Sequence, residues 1–395
     1  MGPGGLSVAG QVALSVVLVM GASLFTRSAT QAARATPGYS FEGKLLVSLD
    51  FDGTGYNEAQ RQQLCQRLVE RIAAGPGVQA VGLSNLIPFG DFHGTDNVAF
   101  LEDEPKTNNI ETIMNYGVKG YAQAIGADYF QAVGLPLLKG RYFTAQECIT
   151  DAPVVIVDET LGRRLRPDGD VLGRMISRSR QIVGIVPRVR HGIFKGEMEP
   201  HVYRPLGGKI SFIFLHVRLA DPARGIEAAV LRRIPQEIRA VDPLVSVLAV
   251  STLGDHHRNG TTMWIVRMLA GLAITFGAVA LFLAGLGIYG VKGHMVASRT
   301  PEIGIRMALG ATSGRVLAMV LREGAAPTLA GLILGMSAAL ALTRLVRSAL
   351  CDVDPTDPAS IAATLLLLGV TSLLAGYVPA RRAAKVDPMV ALRYE

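Results

Sequence analysis

The 395-residue chain is 49% hydrophobic and only 18% charged, with a mean hydropathy of +0.33. A soluble domain usually carries more charge than this. The net charge of +7 would suit nucleic-acid binding, but much of the positive charge flanks apolar runs, so membrane topology explains it better and no nucleic-acid partner is expected.

A bilayer core about 30 Å thick needs roughly 20 apolar helical residues to span it. The first qualifying run is Met1 to Thr26, ahead of Arg27. It has no basic n-region, and its uncharged length argues against a cleaved signal peptide. Ser7, Gln11 and Ser15 lie four apart in it, a polar stripe that should face protein and pack helices.

Residues 27–264 read as mixed α/β. Lys44 to Phe51 is a strand, and Gly53 and Gly55 break it. Asn57 is placed to cap a helix with Gln60 as the capping-box partner, and Leu64, Leu68 and Ile72 mark its apolar stripe. Val78 to Leu83 is a second strand. The same order returns with a strand at 212–219, a helix spaced by Ile226, Val230, Ile234 and Ile238, and a strand at 244–250. Pro235 should kink or shorten that helix. Two β-α-β units, 44–84 and 211–250, thus bracket an insertion, 86–210. Within it, Val154–Asp158 and Gln181–Val186 are strands, and residues 90–106 form a polar loop expected to be mobile.

The second run is Met268 to Val291, the third Ala325 to Thr343 and the fourth about 360–380, opening near Pro358. Gly331-x-x-x-Gly335 in the third permits close helix approach. Between the second and third runs, Thr300, Pro301 and Glu302 open a helix over 300–310, with Thr300 as cap and Gly310 as stop. Ile303 and Met307 share one face; Ile305, Ala308 and Leu309 share another. Such a helix, apolar nearly all round, should be buried between membrane helices and a partner. Glu302 and Arg306 are spaced to pair.

Short-loop charges set the orientation. Lys292, Arg299, Arg306, Arg315 and Arg322 lie between the second and third runs, and Arg381, Arg382, Lys385 and Arg393 follow the fourth. Asp352, Asp354 and Asp357 dominate the remaining loop. The 300–310 helix is therefore cytoplasmic and residues 27–264 lie outside. Arg27 and Arg34, close behind the first run, oppose this locally. Cys65, Cys148 and Cys351 then all lie outside the cytoplasm, in no disulfide or metal spacing, and free thiols are expected. His191, His201, His256 and His257 have no metal or protease spacing and read as surface histidines in turns. Asp158 and Glu159, at a strand end, read as a helix cap. No catalytic, cofactor or metal residue is expected.

Several motifs resemble those of the MacB/FtsX-like ABC transporter permeases, closest to one half of the duplicated-permease branch. They are Val12-Ala-Leu-Ser15, Gly134-Leu-Pro136 with Gly140-Arg141, Val157-Asp-Glu-Thr160, and Val183-Gly184 with Arg190-His191. The specific ones are Glu302 through Ala311, and Pro379-Ala-Arg-Arg-Ala-Ala384 with Asp387-Pro388. Pro301 stands where that family usually has a basic residue.

The resemblance implies a multi-pass inner-membrane protein with four transmembrane helices. It implies a periplasmic core domain of split β-α-β units with an insertion at 27–264, and an FtsX-like permease domain at 265–395. Pro301, Glu302, Ile303, Ile305, Arg306, Met307 and Leu309 would form the contact with a separate ABC ATPase. ATP would be bound by that partner subunit, since no GxxxxGK[ST] phosphate loop is present. It further implies a second permease unit (in a homo- or heterodimer, or as the other half of a longer permease), contact with membrane lipid, and a periplasmic adaptor. The function it implies is efflux or envelope export by mechanotransmission. The alternative is a membrane-anchored binding or sensor module that acts without ATP.

The orientation has a direct test. With the native thiols replaced, an impermeant maleimide applied from outside should modify a cysteine at position 352 and spare one at 312. The opposite pattern would invert the topology.

Overall fold

The computed structural model describes residues 3–87, 89–90, 94–103, 116–167, 169–192, 199–208, 210–221, 225–309, 311–323, 325–345, 353–354 and 356–383. The chain divides into a helical unit, Met1–Ala32 with Ile265–Glu395, and an α/β unit, Ala33–Trp264. Both connections between them lie inside helices, α1 (Pro3–Arg34) and a long helix, Thr261–Ser298.

In the α/β unit, β1 (Lys44–Asp50), α2 (Glu58–Ala73) and β2 (Val78–Ser84) come first. There follow β3 (Thr95–Val98), β4 (Val118–Ile125), α3 (Tyr129–Val133), β5 (Lys139–Gly140), α4 (Ala145–Thr150), β6 (Val154–Asp158) and α5 (Glu159–Leu165). Next are β7 (Met175–Ile176), β8 (Arg180–Val186), β9 (His201–Pro205) and β10 (Phe212–Leu219). The unit ends with α6 (Glu227–Val241), β11 (Ser246–Thr252) and α7 (Leu253–Asn259).

The two β-α-β units interlace. β10 pairs antiparallel with both β1 and β2, and β1 pairs antiparallel with β11. Each unit's two parallel strands are therefore separated by a strand of the other, in the order β11-β1-β10-β2. Helices α2 and α6 cover one face. Leu64, Leu68 and Ile72 meet Val230, Ile234 and Ile238 over Leu45, Val47, Leu49, Leu215 and Val217. Fully burying each such side chain is worth about 1.5–3 kcal/mol. Asn57 and Gln60 cap α2 reciprocally, and α6 continues through Pro235.

The sheet then runs on through β4-β9-β6-β8-β5, joined to β2 by the single pair Ser84↔Ile125. The stretch expected to be a mobile loop contains β3, which pairs with β4 across Thr95↔Tyr121 to Val98↔Val118; residues 91–93 and 104–106 lie outside the described residues. The motif glycines 140 and 184 face each other across β5 and β8. Gly140 has φ +80°, and a Cβ on Gly184 would lie 2.5 Å from the Arg141 carbonyl oxygen, so this edge needs both to be glycine. Arg141 in turn holds Glu147 with two guanidinium bonds of 2.7 and 2.8 Å.

In the helical unit, α1 is joined by α8 (Thr261–Ser298), α9 (Thr300–Ala308), α10 (Ser313–Glu323), α11 (Ala325–Leu345) and α12 (Pro358–Ala383). Among the described residues, four helical stretches are long and apolar enough to cross a membrane. Val8, Val12, Val16, Met20 and Leu24 recur every four residues along α1 and pack among Ile288, Ala339 and Leu368. Exposed side chains such as Phe276, Leu283, Ile333 and Leu373 give surfaces that a bilayer would solvate.

Gly331 and Gly335 are buried in α11 against α1. A Cβ on Gly331 would lie 2.7 Å from the Ala9 carbonyl oxygen, and one on Gly335 2.6 Å from that of Ala13. Ser15 is buried, its hydroxyl 2.8 Å from the Gln11 carbonyl and 2.9 Å from the Ala280 carbonyl on α8. Gln11, mostly exposed, lays its amide against Gly287 of α8, and Ser7 is exposed. The stripe of three is thus one inter-helix bridge, one contact and one free surface position. Arg27 Nη1 donates to Asp357 Oδ2 ahead of α12. Of the two basic residues that oppose the expected orientation, Arg27 is thus paired with an aspartate of the acidic loop.

Gly335→Val should lower the thermal midpoint of the solubilised protein, at a cost of about 1–3 kcal/mol for overpacking. Gly369→Val should leave it unchanged, because nothing lies within 4 Å of a Cβ there. Equal responses would mean that α11 does not approach α1 closely.

Candidate functional site

The candidate site is the pair α9 and α10. α8 ends at Ser298 and α9 begins two residues later, with Arg299 as its N-cap and no side-chain capping bond. Thr300 is not the cap expected from sequence. Its hydroxyl turns back to the carbonyls of Val296 and Ala297, at 3.0 and 3.1 Å, because those C-terminal carbonyls of α8 lie within reach. Pro301 occupies the first turn. Gly310, the expected stop, lies outside the described residues.

Ile303 is 3% exposed and packs with Val316, Val296, Met307 and Met319. Arg306 donates to Glu302 Oε1 at 2.6 Å and its other terminal nitrogen lies 2.8 Å from Met319 Sδ. An exposed i,i+4 pair of this kind contributes a few tenths of a kcal/mol. Ile305 and Leu309 are 49% and 83% exposed. Within the chain one face of α9 is covered, and the other, the face expected to meet a partner, stands open. α10 offers one apolar stripe (Val316, Met319, Val320), enough to cover one face of α9 and no more. Reading the sequence missed α10 itself. Its signal was present in the i, i+3, i+4 spacing of those three residues, with Arg315 and Arg322 on the remaining surface.

The histidines also differ from expectation. His191, His201 and His257 are buried. His201 lies in β9, and its ring is 5.2 Å from that of Tyr121, which stands 4.3 Å from His191. Asp158 is the N-cap of α5. Its Oδ1 accepts from Leu161 N at 2.8 Å and from His201 N at 2.9 Å. Burial pushes the Asp158 pKa up to about 6 and holds that of His201 down to about 4. Among the described residues, no three metal-type side chains converge to hold an ion. These are structural groups that tie α5, β6 and β9 together.

Residues 10–230 match the MacB-like periplasmic core domain, and residues 274–388 match the FtsX-like permease C-terminal domain. The chain belongs to the family of permeases that combine these two domains. It is 29% identical over 345 residues to a macrolide export ATP-binding/permease protein MacB of Agrobacterium fabrum, covering 81% of this chain and 51% of that protein. It is 26% identical over 319 residues to the pyoverdine export ATP-binding/permease protein PvdT of Pseudomonas aeruginosa, covering 75% and 47%. The periplasmic region of MacB from Actinobacillus actinomycetemcomitans aligns with a TM-score of 0.34 at 13% identity, over 55% of this chain and 93% of that one. The chain spans about half the length of the curated relatives it matches. It is a multi-pass membrane protein with a periplasmic-type core domain.

Asp158→Asn keeps the Oδ1 acceptor and removes the buried charge. The raised pKa means that the native state binds a proton more tightly than the unfolded chain, so the penalty is full above about pH 6 and relieved as pH falls toward 3.8. The variant should gain roughly 1–3 kcal/mol at pH 8, shrinking to nothing near pH 4. His201 works in the opposite sense, losing stability as pH falls from 6.5 toward 4. Chemical denaturation across this range checks both; no gain at pH 8 would place the Asp158 charge in water.

Proposed function

We propose that the chain is the permease unit of an ABC exporter in the bacterial inner membrane, driven by a separate ATPase through α9. The observation that carries the reading is the division of α9 into two faces. Ile303 anchors it on α10, while Ile305 and Leu309 stand exposed beside the Glu302–Arg306 pair. An anchored helix with an apolar outer face suits a rigid handle for a partner subunit.

ATP-driven closure of two partner subunits would move two such handles, which calls for a second permease unit. ATP would be bound by the partner alone. The relatives' names point to export of macrolides or pyoverdine; an amphiphilic cargo, a periplasmic adaptor and surrounding lipid are part of the proposal.

Ile305→Asp with Leu309→Asp should weaken association with the ATPase at least tenfold, measured by co-purification and coupled ATPase rate, while membrane insertion is unchanged. Ile303→Asp should instead loosen α9 from α10, seen as faster proteolysis there. Normal association in the double variant would remove α9 as the handle.

A further inference from the structure

A cavity of about 300 Å³ lies within the α/β unit where the interlaced β-α-β core meets the inserted strands. Its walls come from both sides of the join. The core contributes Cys65 and Gln66 of α2 with Val81 to Leu83 of β2; the insertion contributes Gly126 to Asp128 and Cys148 and Ile149 of α4. Gln62 Nε2 donates to the Ile149 carbonyl at 2.8 Å, one direct bond from α2 to the insertion beside this space.

The sheet at this place holds by the single ladder pair Ser84↔Ile125 and three flanking bonds, from Gly126 N to Leu83 O at 2.9 Å, from Asn85 N to Ala124 O at 3.0 Å and from Ala124 N to Asn85 Oδ1 at 2.8 Å. The space opens to the surface beside Gln66, and its volume reaches the lower end of small-molecule sites.

The chemistry of the lining selects the guest. Cys65 and Cys148 are free, and burial pushes both thiols up to about 12, so each is a neutral and weakly reactive wall. Glu70 and Asp128 stand exposed at the rim, and among the described residues lining the cavity there is no Lys or Arg. Apolar walls under an acidic rim favour an apolar cation and disfavour an anion of the same shape.

We propose that this cavity binds a small apolar cation, about two or three fused rings in size, that spans the join between the core and the insertion. This role is separate from ATPase coupling at α9. Because the guest touches both sides, its binding would brace a join that the sheet itself holds weakly.

The cavity supplies its own reporter in Cys148. The full-length protein, with Cys351 replaced by Ser, is alkylated with N-ethylmaleimide at pH 8.5 and Cys148 modification is followed by mass spectrometry. 9-Aminoacridine, a three-ring cation, should slow modification at least fivefold and saturably. Anthracene-9-carboxylate, its anionic counterpart, should slow it less than twofold. Gln66→Trp places bulk at the mouth from an exposed helix position that tolerates it, and should abolish protection by the cation. Glu70→Gln with Asp128→Asn should erase the preference between the two probes. Absent protection by the cation, equal protection by the anion in the unaltered protein, or protection undiminished in Gln66→Trp would each overturn the assignment.

Discussion

The helical unit depends on how closely α11 can approach α1. In hydrocarbon the usual gain from burying apolar surface is absent, because lipid tails are as apolar as leucine. Association must come from short-range contact, which requires backbones to approach. Gly331 and Gly335 provide that approach, since any Cβ there would meet the Ala9 and Ala13 carbonyls. The valine stripe of α1 then reaches Ala339 on α11 as well as Ile288 and Leu368 on α8 and α12. Ser15 adds a polar contact to α8 whose value in such settings averages about 0.6 kcal/mol. The Arg27–Asp357 pair ties the end of α1 to the start of α12.

The α/β unit solves a different problem. Each β-α-β unit alone would leave its sheet face and its helix stripe only partly covered. Interlacing places α2 and α6 side by side over one four-strand surface, where a single cluster buries both stripes. The insertion has its own cluster around Val155, Val157, Leu161 and Ile182, and a second cluster joins it to the core, with Leu46 and Phe214 packed among Ile125, Tyr129, Phe130 and Tyr203. Within the sheet the join is narrow: one ladder pair, Ser84↔Ile125, flanked by the bonds from Asn85 N to Ala124 O and from Gly126 N to Leu83 O. That join is also where the cavity lies, and a binding site is most naturally found where packing is least complete.

Much of the local structure was legible in the sequence because it rests on short-range rules. The Asn57–Gln60 capping box, the Leu64–Leu68–Ile72 stripe and the Asp158 cap need only neighbours in the chain. At α9 composition gave the apolar faces, and the chain itself covers only one of them. Whether Ile305 is covered depends on what packs against it, and α10 covers only Ile303. The buried histidines were misread for a similar reason: His201 has a polar side chain, yet its strand lies inside the sheet between β4 and β6.

The sequence by itself determined the apolar spans and the repeated strand-helix-strand order, which follow from composition and spacing along the chain, and it carries the motifs of the family. Only the tertiary structure decided that β10 slips between β1 and β2 and that Gly140 faces Gly184. It alone also brought Asp357 to Arg27 and two distant cysteines to one cavity. These are contacts between residues far apart in sequence, set by which surfaces can be buried together, and no local pattern encodes that choice.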